Sequence, residues 1–200
     1  MPQGQPDFVA WREVRDQAPL GNLFDGIDVP KIAIARVMAA LSTDAAIGAA
    51  DVHLVAKAEK RHCTTILRVL LDHGVTSFRR DLYRLNHRQV FQPTIWAFEL
   101  KLKDWKRALH QSVQAKSYAH YSWAVFPIET EAHIRTVSSR FIQMGVGLAV
   151  FDLAATRFKE ISSAKKSQPW STVDYWLACM DLPDEPGRTG AVNTMVSHAS

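Results

Sequence analysis

Glu99 and Lys101 stand two residues apart in TIWAFELKL (94–102). That run is rich in β-branched and aromatic side chains and predicts a strand. Side chains alternate along a strand, so Glu99 and Lys101 share one side, about 7 Å apart along the chain. Ile95 and Ala97 fall on that side too; Trp96, Phe98, Leu100 and Leu102 fall on the other. The side of Glu99 therefore begins apolar and turns charged toward the C-terminal end, where open α/β sheets place their sites. Burying Glu and Lys in mid-strand is costly without a partner or a metal. A carboxylate two residues before a lysine has a use in phosphodiester cleavage. Its oxygens suit Mg²⁺, a hard cation, and the lysine can orient or deprotonate the attacking water and offset charge on the phosphorane. A second carboxylate has to come from a neighbouring strand. Asp81, eighteen residues upstream at the start of the strand expected to pair with 94–102, is the first candidate, and Asp72 is the alternative. A structural ion pair between Glu99 and Lys101 on an edge strand is the competing reading.

The surrounding pattern predicts the elements that would carry these groups. Residues 1–29 hold several Pro, Gly and Asp and no sustained period, and read as a loosely ordered arm with one short helix around Phe8–Asp16. Pro30 opens a helix in which Ile32, Ala35, Val37 and Leu41 recur at helical spacing. A second helix is expected over 50–60, and a third from Thr64 to a stop at Gly74. A strand at Val75–Phe78 follows, and this order is that of a winged-helix module. LYRL (82–85) reads as a strand, HRQVFQP as a hairpin turn, and 94–102 as the next strand. Asp104 caps a helix through Tyr118. SWAVF (122–126) is a buried strand stopped by Pro127, Glu129–Met144 a helix stopped by Gly145, and VGLAVFDL (146–153) a strand. Strand, helix, strand, helix, strand implies parallel pairing in an α/β sheet.

With those elements in place, Asp81, the Glu99-Leu-Lys101 strand and a helix carrying Gln111 resemble the PD-(D/E)XK nuclease superfamily. The run FELKLKDWKRALHQSVQAKSYAHYSWAVFP (98–127) is similar to a bacterial subgroup in which an E-x-K strand leads into a D-W-x-x-A-L-x-Q helix. The resemblance covers roughly residues 75–165. It implies a restriction-endonuclease-like mixed central sheet flanked by helices. It also implies Asp81 and Glu99 as ligands of Mg²⁺, with Mn²⁺ as a substitute, Lys101 as the catalytic lysine and Gln111 in support. Two positions depart from the pattern: Arg80 precedes Asp81 where a Pro is common, and Ala115 stands where many relatives carry Tyr. An upstream helical acid sometimes joins such sites, and Glu59 is the acid available. The chain accordingly divides into the arm 1–29, a helical segment 30–74, a nuclease-like core 75–165 and a partly ordered tail 166–200.

Charge points the same way. The chain carries +4 overall, yet Lys57–Lys116 holds thirteen Lys/Arg against five Asp/Glu, with acidic flanks. A basic middle fits a polyanion surface, with Arg61, Arg68, Arg79, Arg80, Lys103, Lys106 and Arg107 as candidate DNA contacts. Lys103, Lys106, Arg107 and His110 read equally well as a solvated helix face, and Trp105 as a core anchor. Two cysteines exclude a disulfide framework. No apolar run is long enough for a membrane helix, and the polar N-terminus has no secretion-signal pattern; the cytoplasm is the expected location. There is no phosphate loop, no nucleophile elbow and no histidine metal spacing. The expected function is Mg²⁺-dependent DNA cleavage, with a non-cleaving DNA-binding protein of the same fold as the alternative. A homodimer would allow both strands to be cut.

Overall fold

The computed structural model describes residues 6–12, 20–43 and 45–182. In chain order the elements are β1 (Phe8–Arg12), α1 (Lys31–Leu41), β2 (Ile47–Gly48), α2 (Val52–Ala56), α3 (Lys60–Asp72), β3 (Thr76–Arg79), β4 (Leu82–Leu85) and β5 (Thr94–Leu100). They continue with α4 (Trp105–Ala115), β6 (Tyr121–Pro127), α5 (Glu131–Gln143), β7 (Gly147–Asp152), β8 (Arg157–Ser162) and α6 (Thr172–Asp181). Short 3-10 turns precede α1 and α5. The chain is α/β, with a mixed five-stranded sheet and a three-stranded sheet, in two units. Among the described residues the first unit takes 6–12 and 94–170, and the second takes 20–93, Asp44 aside, with 171–182. The division thus falls at 93/94 rather than the expected 74/75, and the first unit recruits a strand from the N-terminal arm.

In the first unit the sheet order is β1-β5-β6-β7-β8. β5, β6 and β7 run parallel, joined by α4 and α5, while β1 and β8 close the edges antiparallel. One face is dry: Ala108 and the α5 side chains Ile134 and Phe141 pack on Ala124, Phe126, Leu148 and Val150. Burying a side chain such as Phe126 or Phe141 stabilises by roughly 1.5–3 kcal/mol. The other face carries Phe98, Trp96, Trp123, Phe151 and Phe158. There the Trp123 indole lies so flat over Gly147 that a Cβ on Gly147 would meet the ring at 2.4 Å. This glycine is therefore a packing requirement of the sheet.

In the second unit the sheet order is β2-β4-β3, all antiparallel. The elements run helix, strand, helix, helix, strand, strand, and α6 packs on α1 through Trp176, whose indole N–H donates to Ser42 Oγ at 2.9 Å. α3 buries Cys63, Ile66, Leu67, Val69 and Leu70 on one side. Gly74, at φ +69°, takes the left-handed turn that ends it.

Several expectations are corrected. Residues 8–12 are a strand rather than the start of a helix over Phe8–Asp16; the part of that expectation on 13–16 lies outside the described residues. The reason is nonlocal: Val9 pairs with Ala97, far along the chain, and five residues carry little periodicity of their own. LYRL is a strand, but β4 pairs with β2 and β3 rather than with β5. HRQVFQP is therefore a connection between two sheets and no hairpin turn. Its Val90 and Phe91 are buried, which anchors it to the second unit. α3 begins at Lys60, one turn before Thr64, with Glu59 in the cap position. The segment after 153 adds β8, and the tail adds α6, whose Ser171 Oγ accepts from Asp174 N–H at 3.2 Å. Residues 183–200 lie outside the described residues.

Candidate metal centre

β5 delivers Glu99 where the sequence pattern expects it, at the C-terminal end on the helix-covered side of the sheet. The Glu99 residue is only 2% exposed. Its carboxylate accepts a hydrogen bond from Lys101 Nζ. Lys101 lies just past the end of β5, where its N–H donates to Val125 O at 3.1 Å and extends the parallel ladder by one rung. Its side chain is 21% exposed, so the pair opens to solvent on the lysine side.

The second carboxylate beside this pair is Asp7. Its Oδ2 stands 3.6 Å from Lys101 Nζ and accepts from Leu100 N–H at 2.8 Å. Pairing of β1 with β5, Phe8 opposite Phe98, fixes this arrangement, because Asp7 immediately precedes β1. Two carboxylates and one ammonium thus converge at the end of a parallel strand. Burial raises the Glu99 carboxyl above the usual carboxylate range. The hydrogen bond from Lys101 opposes that rise, the negative charge of Asp7 adds to it, and the charges of Lys101 and Arg107 also oppose it.

α4 supplies the wall of the site. Asp104 Oδ1 accepts from Arg107 N–H at 3.0 Å and starts the helix, satisfying one of its free N–H groups. Arg107 acts on Glu99 electrostatically, and Gln111 lies one turn further along the same stripe. Gln111 Oε1 is shut off from solvent and accepts no hydrogen bond. Beyond the helix, the Tyr118 hydroxyl is likewise shielded and unpartnered. Burial, and then the charge of Glu99, raise its pKa far above the usual phenol range. Two carboxylates beside one lysine, with a shielded and unpartnered amide oxygen on the flanking helix, are hard oxygen donors of the kind that suits Mg²⁺ or Mn²⁺. The residues present fit such an ion. Among the described residues no cluster of three or more His, Cys, Asp or Glu forms.

The other expected residues distribute as follows. Lys103, Lys106 and Arg107 are exposed on the loop and first turn of α4. Lys106 and Arg140 lie over the Trp105 ring at 5.8 and 5.4 Å, and Trp105 packs against the core, as an anchor does. Asp81 belongs to the second unit and to the other sheet, in the tight turn between β3 and β4. It therefore shares no strand pairing with Glu99, contrary to the expectation that β4 would lie beside β5. Asp72 ends α3, and Glu59 is held by Arg61 at 2.7 Å; both are in the second unit. Arg61, Arg68, Arg79 and Arg80 are exposed there as well.

Sequence reasoning missed Asp7 and Tyr118. Asp7 is an acid at the start of an apolar stretch, DFVAW, a signal hidden once 1–29 is read as an arm. Tyr118 stands three residues past Ala115, where the pattern leads one to look for a tyrosine. No helix among the described residues is long and apolar enough to cross a membrane. Comparison with family models, curated proteins and solved structures found no match to this chain.

Proposed function

We propose that the first unit hydrolyses phosphodiester bonds of DNA with the help of a divalent cation, on a restriction-endonuclease-like fold. The observation that carries this reading is the meeting of Glu99, Asp7 and Lys101 at the C-terminal end of β5. Asp7 takes the role that the sequence pattern assigned to Asp81. Asp7 and Glu99 would hold Mg²⁺ or Mn²⁺, and the unpartnered Gln111 Oε1 on α4 would be available as a further oxygen donor. A bound ion there supplies Lewis-acid activation of the phosphate. Lys101 carries the remaining work. Its ammonium has three N–H donors, enough to hold the attacking water and one non-bridging phosphate oxygen while keeping its bond to Glu99. Its charge offsets the negative charge that builds on the phosphorane. The water oxygen forms the new bond to phosphorus and the bond to the leaving sugar oxygen breaks. The water's proton goes to solvent, and the leaving oxygen takes one from solvent. Arg107, Lys103 and Lys106 give the rim of the site a positive potential that suits a polyphosphate backbone.

The test is incubation of the full chain with plasmid and Mg²⁺ or Mn²⁺. The wild type nicks or linearises it, and Lys101→Ala lowers the rate at least 100-fold, the usual scale for a group acting on the reacting atoms. Equal rates for the two proteins, or no cleavage of any DNA form by either, overturn the reading.

One observation favours a second reading, DNA binding without cleavage. Lys101 already satisfies Glu99 with an ion pair. In that case DNA binds, but no divalent-ion site depends on Glu99.

A further inference from the structure

The second unit presents a different surface, and nothing in the proposed chemistry uses it. α3 divides cleanly. Cys63, Ile66, Leu67, Val69 and Leu70 face the unit's interior, while Lys60, Arg61, Thr64 and Arg68 share the exposed arc. The Thr64 and Thr65 hydroxyls donate to carbonyls one turn back, at 3.0 and 3.2 Å, so this arc is ordered as well as polar. Arg61 is paired with Glu59, whereas Lys60 and Arg68 form no ion pair among the described residues.

Gly74 turns the chain from α3 directly into the β3–β4 hairpin. Buried Thr76 and Leu85 pair across it, as do Phe78 and Tyr83, whose rings stand 4.6 Å apart. The alternate positions, Ser77 with Arg84 and Arg79 with Leu82, lie on the opposite side. The tip is Arg80-Asp81, and both residues sit at left-handed φ, +52° and +61°. Such a tip ordinarily takes Asn or Gly, because a side chain there is strained. Here it carries an arginine in the first of those positions. Helix, strand, helix, helix, strand, strand, with the sheet in the order β2-β4-β3, is the topology of a winged helix.

We propose that this unit docks on double-stranded B-form DNA, with the exposed arc of α3 in the major groove and Arg79 and Arg80, at the end of the hairpin, on the flanking backbone. Charge and shape both select this occupant. The helix and hairpin surface is dominated by cations, Lys60, Arg61, Arg68, Arg79, Arg80 and Arg84, against three acids, Glu59, which pairs with Arg61, Asp72 and Asp81. A helix about 10–12 Å across fits a major groove about 12 Å wide. The major groove of duplex RNA is deep and narrow and does not admit side chains to its bases. Single strands are gripped by exposed aromatic stacking platforms; α3 presents none on its arc, and exposed Phe78 of the hairpin lies on the side opposite Arg79 and Arg84. Docking needs no cleavage and stands whether or not the first unit is a nuclease.

Anisotropy titration of the full chain with labelled duplex DNA, in chelator so that nothing is cut, reads this directly. Duplex DNA binds with a slope of log K against log salt near −4 to −5, the value for about five phosphate contacts. Arg68→Ala weakens binding about tenfold, as loss of one groove contact does. Arg80→Ala lowers the slope by about 1. Both side chains are exposed, and an unchanged melting curve for each variant separates lost contact from lost fold. A triple variant, Arg61→Ala with Arg68→Ala and Arg80→Ala, that binds duplex DNA as the wild type does overturns the proposal. So do equal affinities for duplex RNA or single strands, and so does an absence of duplex binding. Cleavage lost in Lys101→Ala with duplex binding intact separates this surface from the candidate metal centre.

Discussion

Replacing Lys101 with methionine exposes the energetics of the Glu99 site most sharply. Glu99 is a charge held in a dry place, its side chain 3% exposed, and its hydrogen-bonded partner is Lys101. Breaking a buried pair from one side costs about 3–5 kcal/mol, because the remaining charge stays buried without compensation. Lys101 is one-fifth exposed, so the low end applies, about 3 kcal/mol. The pH dependence follows from the direction of the Glu99 shift. Burial already raises its carboxyl in the fold above the unfolded value, and Lys101 is the chief opposing influence. Without Lys101 the carboxyl rises further. A group raised in the fold contributes stability that is present at low pH and lost as pH rises through its folded pKa. The Lys101→Met penalty is therefore full at pH 8 and shrinks as pH falls and Glu99 takes up a proton. Glu99→Gln removes the buried charge itself and costs less than about 1 kcal/mol at pH 8. Urea unfolding at a series of pH values measures all of this, and about 3 kcal/mol corresponds to roughly 6–12 °C in melting temperature for a chain of this size. A Lys101→Met penalty that does not change with pH refutes the reasoning. A Glu99→Gln penalty as large as that of Lys101→Met refutes it equally.

Two further outcomes are expected. Asp7→Asn keeps the acceptor for Leu100 N–H but removes a like charge from Glu99, so the Glu99 carboxyl titrates at lower pH than in the wild type, read by carboxyl-carbon NMR; an unchanged or higher midpoint contradicts the geometry. Gly147→Ala drives a methyl into the Trp123 indole and lowers stability by about 1–3 kcal/mol, seen in denaturant midpoint and in Trp fluorescence; a neutral substitution means the ring does not lie flat there.

What the chain reveals locally is what local physics determines. TIWAFEL is a strand because its β-branched and aromatic residues fit a pleated, half-buried surface. Asp104 caps α4 because the free N–H of Arg107 needs an acceptor. The face of Glu99 followed from alternation alone. Which strand lies beside β5 did not follow, because pairing depends on partners distant along the chain. Asp81 lies far nearer in sequence than Asp7, yet its turn belongs to another sheet, while Asp7, more than ninety residues from Leu100, arrives at the site through β1. α6 and β8 escaped notice for a similar reason. Trp176 is buried where α6 packs on α1, a contact invisible from the tail itself. In the basic middle, charge was legible but its partition was not, since Arg61, Arg68, Arg79 and Arg80 fall in one unit and Lys103, Lys106 and Arg107 in the other.

Titration of Mn²⁺ into the full chain, followed by the loss of its free-ion spin-resonance signal, addresses the candidate centre without requiring a substrate. The wild type should bind one ion, Glu99→Gln and Asp7→Asn should each weaken that binding at least tenfold, and Asp81→Asn should leave it unchanged. Binding that is indifferent to Glu99 and Asp7, or that disappears with Asp81 alone, would contradict a divalent-ion site at the end of β5.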